Sequence, residues 1–190
     1  MNKDKTKAIR IVTAAAKGYR DELCGKEFLL AFEDGTFREV AFRAQNFAHF
    51  TGLILRCSAI QFYERALNGR LSEKSFDFDT HGNAQRKLKV LEQLPSFFDQ
   101  PLLSGVFMNS GIYIQADYFA GRNTISIGFR ENSPFDVPVS LYNEDIRKLV
   151  YQSLKVLAVW EKPIGADQYE TLKCSRVPEP EKLLEQFYRK

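Results

Sequence analysis

KEFLLAFEDGTFREVAFR, residues 26–43, sets two runs rich in Phe, Leu and Val on either side of Asp34-Gly35. A type I′ turn needs positive φ at both central residues, which Asp-Gly tolerates, so this stretch predicts a β-hairpin. Upstream, Ile9, Val12, Ala16, Tyr19 and Leu23 recur at spacings of three and four and share one helical face, which predicts an amphipathic helix ending at Gly25. Downstream, SAIQFYERALNGR predicts a helix to Gly69. THGNAQRKLKVLEQLP predicts another closed by Pro95, with Arg86, Lys87 and Lys89 on its charged flank.

The second half changes character. GIYIQADYF and NTISIGFRE alternate apolar and polar positions about an AGRN loop and predict an antiparallel pair. FDVPVSLY reads as a short strand whose Pro138 favours an edge, and NEDIRKLV as a helical turn capped by Asn143. LKVLAVWEKPI and YETLKC read as two further strands, and Pro178 and Pro180 open a terminal helix. The expected class is α+β, with N-terminal helices and a β-hairpin packed with a mainly antiparallel sheet. One domain is expected over residues 1–176, with a helical tail over 177–190.

At 190 residues and 44% hydrophobic content, the chain can bury a single core. No apolar run approaches the roughly 20 residues of a membrane span, and MNKDKTKAIR lacks a signal-peptide core, so a cytoplasmic protein is expected. Cys24, Cys57 and Cys174 are odd in number and widely spaced, as buried apolar residues would be. The first ten residues carry the whole net charge of +3, and the rest balances to zero. Any polyanion site must therefore come from local clustering.

The sequence lacks GxxxxGK[ST], GxGxxG after a strand, HExxH and GxSxG. His49 and His81 are the only imidazoles, expected on opposite sides of a helix, and Asp77 and Asp79 read as solvated loop carboxylates, so no metal site is expected. What remains are scattered Lys, Arg, His, Tyr and Ser groups, a set that suits ribonucleases working by internal transfer. In NFAHFTGL, residues 46–53, His49 lies between two phenylalanines, as either a buried structural histidine or a catalytic one would.

NFAHFTGL, FYERAL, HGNAQRKLKVLEQL, IGF, VPVSLYNEDIRKLV and LAVWEKPI with YETL, in that order, resemble the phage-associated branch of the barnase/EndoU/colicin/RelE-like nuclease superfamily. The resemblance, covering about residues 46–174, is to its fourth phage subgroup. Phe50 stands in place of leucine in that subgroup's His-Leu-Thr-Gly signature. The resemblance implies a metal-independent, toxin-like or phage-encoded endoribonuclease that leaves a 2′,3′-cyclic phosphate and needs no cofactor. RNA (tRNA or mRNA) is the implied substrate, with a protein inhibitor or antitoxin as partner. His49 is the implied base. Lys87 and Lys162 are implied to meet the phosphate, with Tyr169 as acid or stacking platform, and Thr51, Arg130 and Ser140 as substrate-binding groups. Two other readings stand beside it: a non-catalytic RNA- or protein-binding module of the same fold, and an interaction protein in which NFAHFTG locks the hairpin to the helices.

Overall fold

The computed structural model describes residues 3–108 and 116–189. Its first element, α1 (Lys3–Glu22), buries Ala8, Val12, Ala15, Ala16 and Tyr19 along one face, and Leu23 continues that face just beyond it. Gly18 lies on the same helix because a Cβ there would come within 2.5 Å of Pro95 Cγ. The hairpin follows as β1 (Lys26–Phe32) and β2 (Phe37–Phe42), paired antiparallel. Its turn differs from the expected type I′, since φ is positive at Gly35 (+81°) and, among the described residues, at no non-glycine residue such as Asp34. Phe32 N–H donates to Thr36 O at 2.9 Å and Gly35 N–H to Phe32 O at 3.0 Å. These bonds close a three-residue loop in which glycine takes the left-handed position.

Five short elements cross one face of the hairpin: α2 (Phe47–Thr51), β3 (Ile54–Leu55), α3 (Ala59–Leu67), β4 (Phe76–Asp77) and α4 (Asn83–Leu88). Ser58 caps α3 by accepting from Gln61 N–H at 3.2 Å. The single helix expected up to Pro95 is broken: α4 ends at Leu88, and a separate 3₁₀ turn covers Leu91–Gln93. Across the break Leu88, Val90, Leu91 and Leu94 are all buried in the core.

The remaining strands are β5 (Leu103–Val106), β6 (Tyr118–Gly121), β7 (Ser126–Arg130), β8 (Val137–Tyr142), β9 (Leu154–Pro163) and β10 (Thr171–Ser175). Among the described residues, eight strands form one antiparallel sheet in the order β2-β1-β9-β5-β6-β7-β8, with β10 also paired to β9. The expected strand over residues 111–119 lies mostly outside the described residues, and β6 is its described end. The turn after β8 is a 3₁₀ turn at Ile146–Lys148 capped by Asp145, whose carboxylate accepts from Arg147 N–H at 3.0 Å, rather than by Asn143.

Helices α1–α4 cover the sheet face carrying Phe28, Leu30, Phe42, Ile127 and Phe129, and Phe28 stacks on Phe98 at 4.3 Å. On the other face, Leu183, Leu184 and Phe187 of α5 (Pro180–Tyr188) pack against Leu29, Trp160 and Tyr169. The molecule is thus an α+β fold with an antiparallel sheet, as its patterning implies.

The two ends of the strand order meet at Asp136. Ala41 N–H donates to Asp136 O at 3.0 Å and Asp136 N–H to Glu39 O at 2.9 Å, joining β2 to the start of β8. The Asp136 carboxylate accepts from Tyr118 Oη (2.8 Å), Arg38 Nη1 (3.2 Å) and Asn132 N–H (3.1 Å). Removing it strands the buried Tyr118 phenol and leaves the Arg38 guanidinium with Glu131 alone, at 2.7 Å. Asp136→Ala should lower stability by about 2–4 kcal/mol in urea unfolding, with Asp136→Asn recovering part of the loss.

Candidate active-site cleft

Residues 47–52 answer which way His49 points. Phe47, Ala48, Phe50 and Thr51 are buried, so α2 supplies core on one side and leaves the His49 side chain exposed. Gly52 ends the helix at φ +67°, a conformation that a residue with a Cβ rarely adopts. A Cβ at this position would lie 3.0 Å from Lys87 Cδ and 3.1 Å from Ala84 Cα, so the glycine also permits α4 to lie against the end of α2.

The start of α4 is held by Asp79, whose carboxylate accepts from the backbone N–H groups of Ala84 (3.0 Å), Asn83 (3.1 Å) and His81 (3.1 Å). The Ala84 bond, opposed by partial burial and reinforced by those of Asn83 and His81, holds this carboxyl below the usual range. Asp77 is occupied differently, in ion pairs with Lys5 (2.9 Å) and Arg56 (2.6 Å). Among the described residues no group of three or more His, Cys, Asp or Glu could hold a metal ion.

Lys87, expected on an exposed flank, is buried, with 7% of its surface accessible. Its Nζ donates to His49 O at 2.8 Å and to Ser140 Oγ at 2.8 Å, and lies 5.9 Å from the Tyr142 ring centroid. Burial depresses its pKa from 10.5 to about 8, although the Asp79 charge opposes the shift. The imidazole of His49 is lowered too, first by burial of its inner edge and then by the Lys87 charge. It therefore stays largely neutral at pH 7 and can accept a proton.

Beside this junction a cleft of about 600 Å³ runs between α4 and the end of β8, lined by Asp79, His81, Asn83, Arg86, Lys87, Ser140, Tyr142, Asn143 and Glu144 among others. His81, Arg86, Tyr142 and Asn143 escape a reading of residue types along the chain. The turn-forming run DTHGN, residues 79–83, is the signal that places His81 and Asn83 at the start of a helix.

The other candidate residues lie elsewhere or are otherwise engaged. Thr51 is fully buried; its Oγ1 donates to Ala48 O (2.8 Å) and accepts from Leu53 N–H (3.2 Å). Lys162 and Tyr169 meet each other on the sheet face covered by α5, with Lys162 Nζ 4.6 Å from the ring centroid. Lys162 pairs with the buried Glu27 at 3.2 Å, and Tyr169 Oη donates to Glu39 at 2.8 Å. Burial and then the Glu39 bond push the Tyr169 phenol far above its ordinary value. Arg130 is exposed at the end of β7 opposite Val137, beyond the Gly128–Ser140 pair. The structure thus brings the His49 backbone carbonyl, Lys87 and Ser140 together, and engages Lys162 and Tyr169 with Glu27 and Glu39 on the face under α5.

A family model described as phage-Barnase-EndoU-ColicinE5/D-RelE like nuclease4 matches residues 11–176. No curated protein and no solved structure matches the chain.

The buried lysine carries a pH signature. Because its pKa falls on folding, the unfolded chain binds more protons between pH 8 and 10.5, and this group's contribution to stability rises with pH across that window. Wild type should therefore gain stability relative to Lys87→Met between pH 7.5 and 10, by up to about 3 kcal/mol, in paired urea unfolding curves. A constant difference across that range would mean that the ammonium is not desolvated.

Proposed function

The chain belongs to the phage-Barnase-EndoU-ColicinE5/D-RelE like nuclease 4 family, and from that premise we propose that it is a metal-independent endoribonuclease whose centre is the cleft beside His49 and Lys87. The reaction is attack of a ribose 2′-hydroxyl on the adjacent phosphate, leaving a 2′,3′-cyclic phosphate and a free 5′-hydroxyl. One observation carries this reading: a single buried ammonium joins the backbone of the exposed His49 to the Ser140 hydroxyl at 2.8 Å each, at the wall of an open cleft.

In this reading neutral His49 removes the 2′-OH proton. Lys87 has three N–H donors, two of them given to His49 O and Ser140 Oγ. The third, with the exposed guanidinium of Arg86, stabilises charge growing on the phosphorane oxygens. His81, on the cleft wall, protonates the departing 5′-oxygen. Thr51 acts through the backbone, fixing the turn that carries His49 to Gly52. Lys162, Tyr169 and Arg130 have no part in this chemistry. A toxin-like enzyme of this kind takes tRNA or mRNA as substrate and is held in check by a protein inhibitor in the bacterial cytoplasm.

A second reading, a non-catalytic RNA-binding module of the same fold, draws on the absence of net charge beyond the first ten residues.

Incubation with tRNA and total bacterial RNA in EDTA separates the two. Wild type should yield fragments with 2′,3′-cyclic ends. His49→Ala, whose exposed side chain leaves the core intact, should keep the melting temperature within a few degrees and lose at least about 100-fold in rate. Equal cleavage by the variant would remove His49 from the mechanism, and binding without cleavage by wild type would favour the second reading.

A further inference from the structure

A second pocket, of about 490 Å³, opens at the same end of the sheet, walled by the β6–β7 loop and the segment from Gln93 to Leu103. Two guanidinium groups, Arg122 and Arg176, line it with Ser96, Gln100, Asn123 and Thr124. Among the described residues neither arginine has a carboxylate within 4.0 Å, unlike Arg38, Arg147 and Lys173. Each makes one long hydrogen bond to a backbone carbonyl, Arg122 Nη1 to Phe97 O and Arg176 Nη2 to Leu102 O, both at 3.4 Å. Four of the five N–H donors on each group are left for something else.

The nearest acids are already engaged. Asp99 pairs with Lys173 at 2.9 Å, Asp145 with Arg147 at 2.6 Å, and Glu144 with Lys148 at 3.0 Å. Arg122 is also fixed in place, with its guanidinium carbon 5.8 Å from the Phe97 ring centroid and its backbone O accepting from Ile146 N–H at 3.0 Å. Both guanidinium groups face the one pocket, and the Cys174 thiol, raised first by burial, feels both charges. Two guanidinium groups lining one pocket with no carboxylate in ion-pair contact, Asp99 acting on Arg122 only from a distance, form with the amide and hydroxyl side chains a receptor for an oxyanion.

The sheet register relates this pocket to the cleft. Tyr142, on the cleft wall, pairs with Ser126, and Ser126 pairs with Gly121, on the pocket wall. Two strand spacings put these walls about 10 Å apart.

We propose that Arg122 and Arg176 bind a second backbone phosphate of a single-stranded RNA, a nucleotide or two away from the phosphate that lies in the His49 cleft. The inference rests on the nuclease reading for its substrate and adds a polarity to it: oligomers are held at two points and dinucleotides at one. The gap between the pockets runs past neutralised acids, and a flexible single strand spans it where a duplex would not bend to do so.

Binding and cleavage, measured separately, test it. Anisotropy of fluorescein-labelled 2′-O-methyl octamers, which cannot be cleaved, should show Arg122→Gln/Arg176→Gln binding at least about tenfold more weakly than wild type. The slope of log affinity against log salt should be shallower by about one to two. The rate on a dinucleotide should be unchanged while that on an octamer falls. Arg176→Gln alone, an exposed substitution, should show part of the loss and keeps the test valid if the double variant unfolds. Equal octamer affinity in wild type and both variants would overturn the proposal. So would loss of polyglutamate binding with octamer affinity retained, which would assign the pocket to an acidic protein segment. Wild type that binds the octamer through the arginines but cleaves no RNA would refute the nuclease reading and leave the pocket standing.

Discussion

A lysine ammonium cannot be removed from water without partners, and that requirement organises the site end of this molecule. Lys87 lies on α4, and its partners are a carbonyl at the end of α2 and a hydroxyl on β8, 38 and 53 residues away along the chain. Satisfying one ammonium therefore fixes two helices and a strand relative to each other. Gly52 makes the approach sterically feasible and Asp79 anchors the start of α4. A strand that closes on β2 through Asp136 holds Ser140 in register. The exposed His49 inherits its position from this lock without being part of the core.

Such an arrangement is poor for stability alone. A desolvated ammonium with its pKa lowered to about 8 costs more than a methionine of similar shape in the same place. What it provides is a cation of fixed position at the wall of an open cleft, tied to the backbone of a histidine whose pKa partial burial and that cation both lower. In water-poor surroundings a charge of this kind acts strongly on an anion, and its orientation needs no rearrangement when the anion arrives.

The parts of the fold legible in the sequence were those with local causes. The spacing of Val12, Ala16 and Tyr19 specifies α1, the Asp-Gly turn specifies the hairpin, and the alternation in TISIGF specifies β7, because each signal lies within one element. Turn type was harder: Asp-Gly serves both a two-residue and a three-residue loop, and only the hydrogen bonds of Phe32 distinguish them. The break between Leu88 and Leu91 was hidden because a helix and a helix followed by a 3₁₀ turn bury nearly the same residues. The site was least legible of all. RKLK reads as a solvated helix flank, and nothing near Lys87 announces that Gly52 and Ser140 will enclose it. Lys162 and Tyr169 show the reverse: suitable residue types, brought together on a sheet face that α5 covers, where Glu27 and Glu39 occupy them.

The central claim is that a phosphodiester sits beside His49 within reach of Lys87. With two histidines in the chain, the imidazole resonances are readily assigned, and an NMR titration of His49 with and without a saturating, uncleavable 2′-deoxy oligonucleotide addresses it directly. The account predicts a pKa below 6.5 in the free protein that rises when the oligonucleotide binds, because a bound anion favours the imidazolium. A His49 resonance and pKa unmoved by saturating oligonucleotide would contradict it.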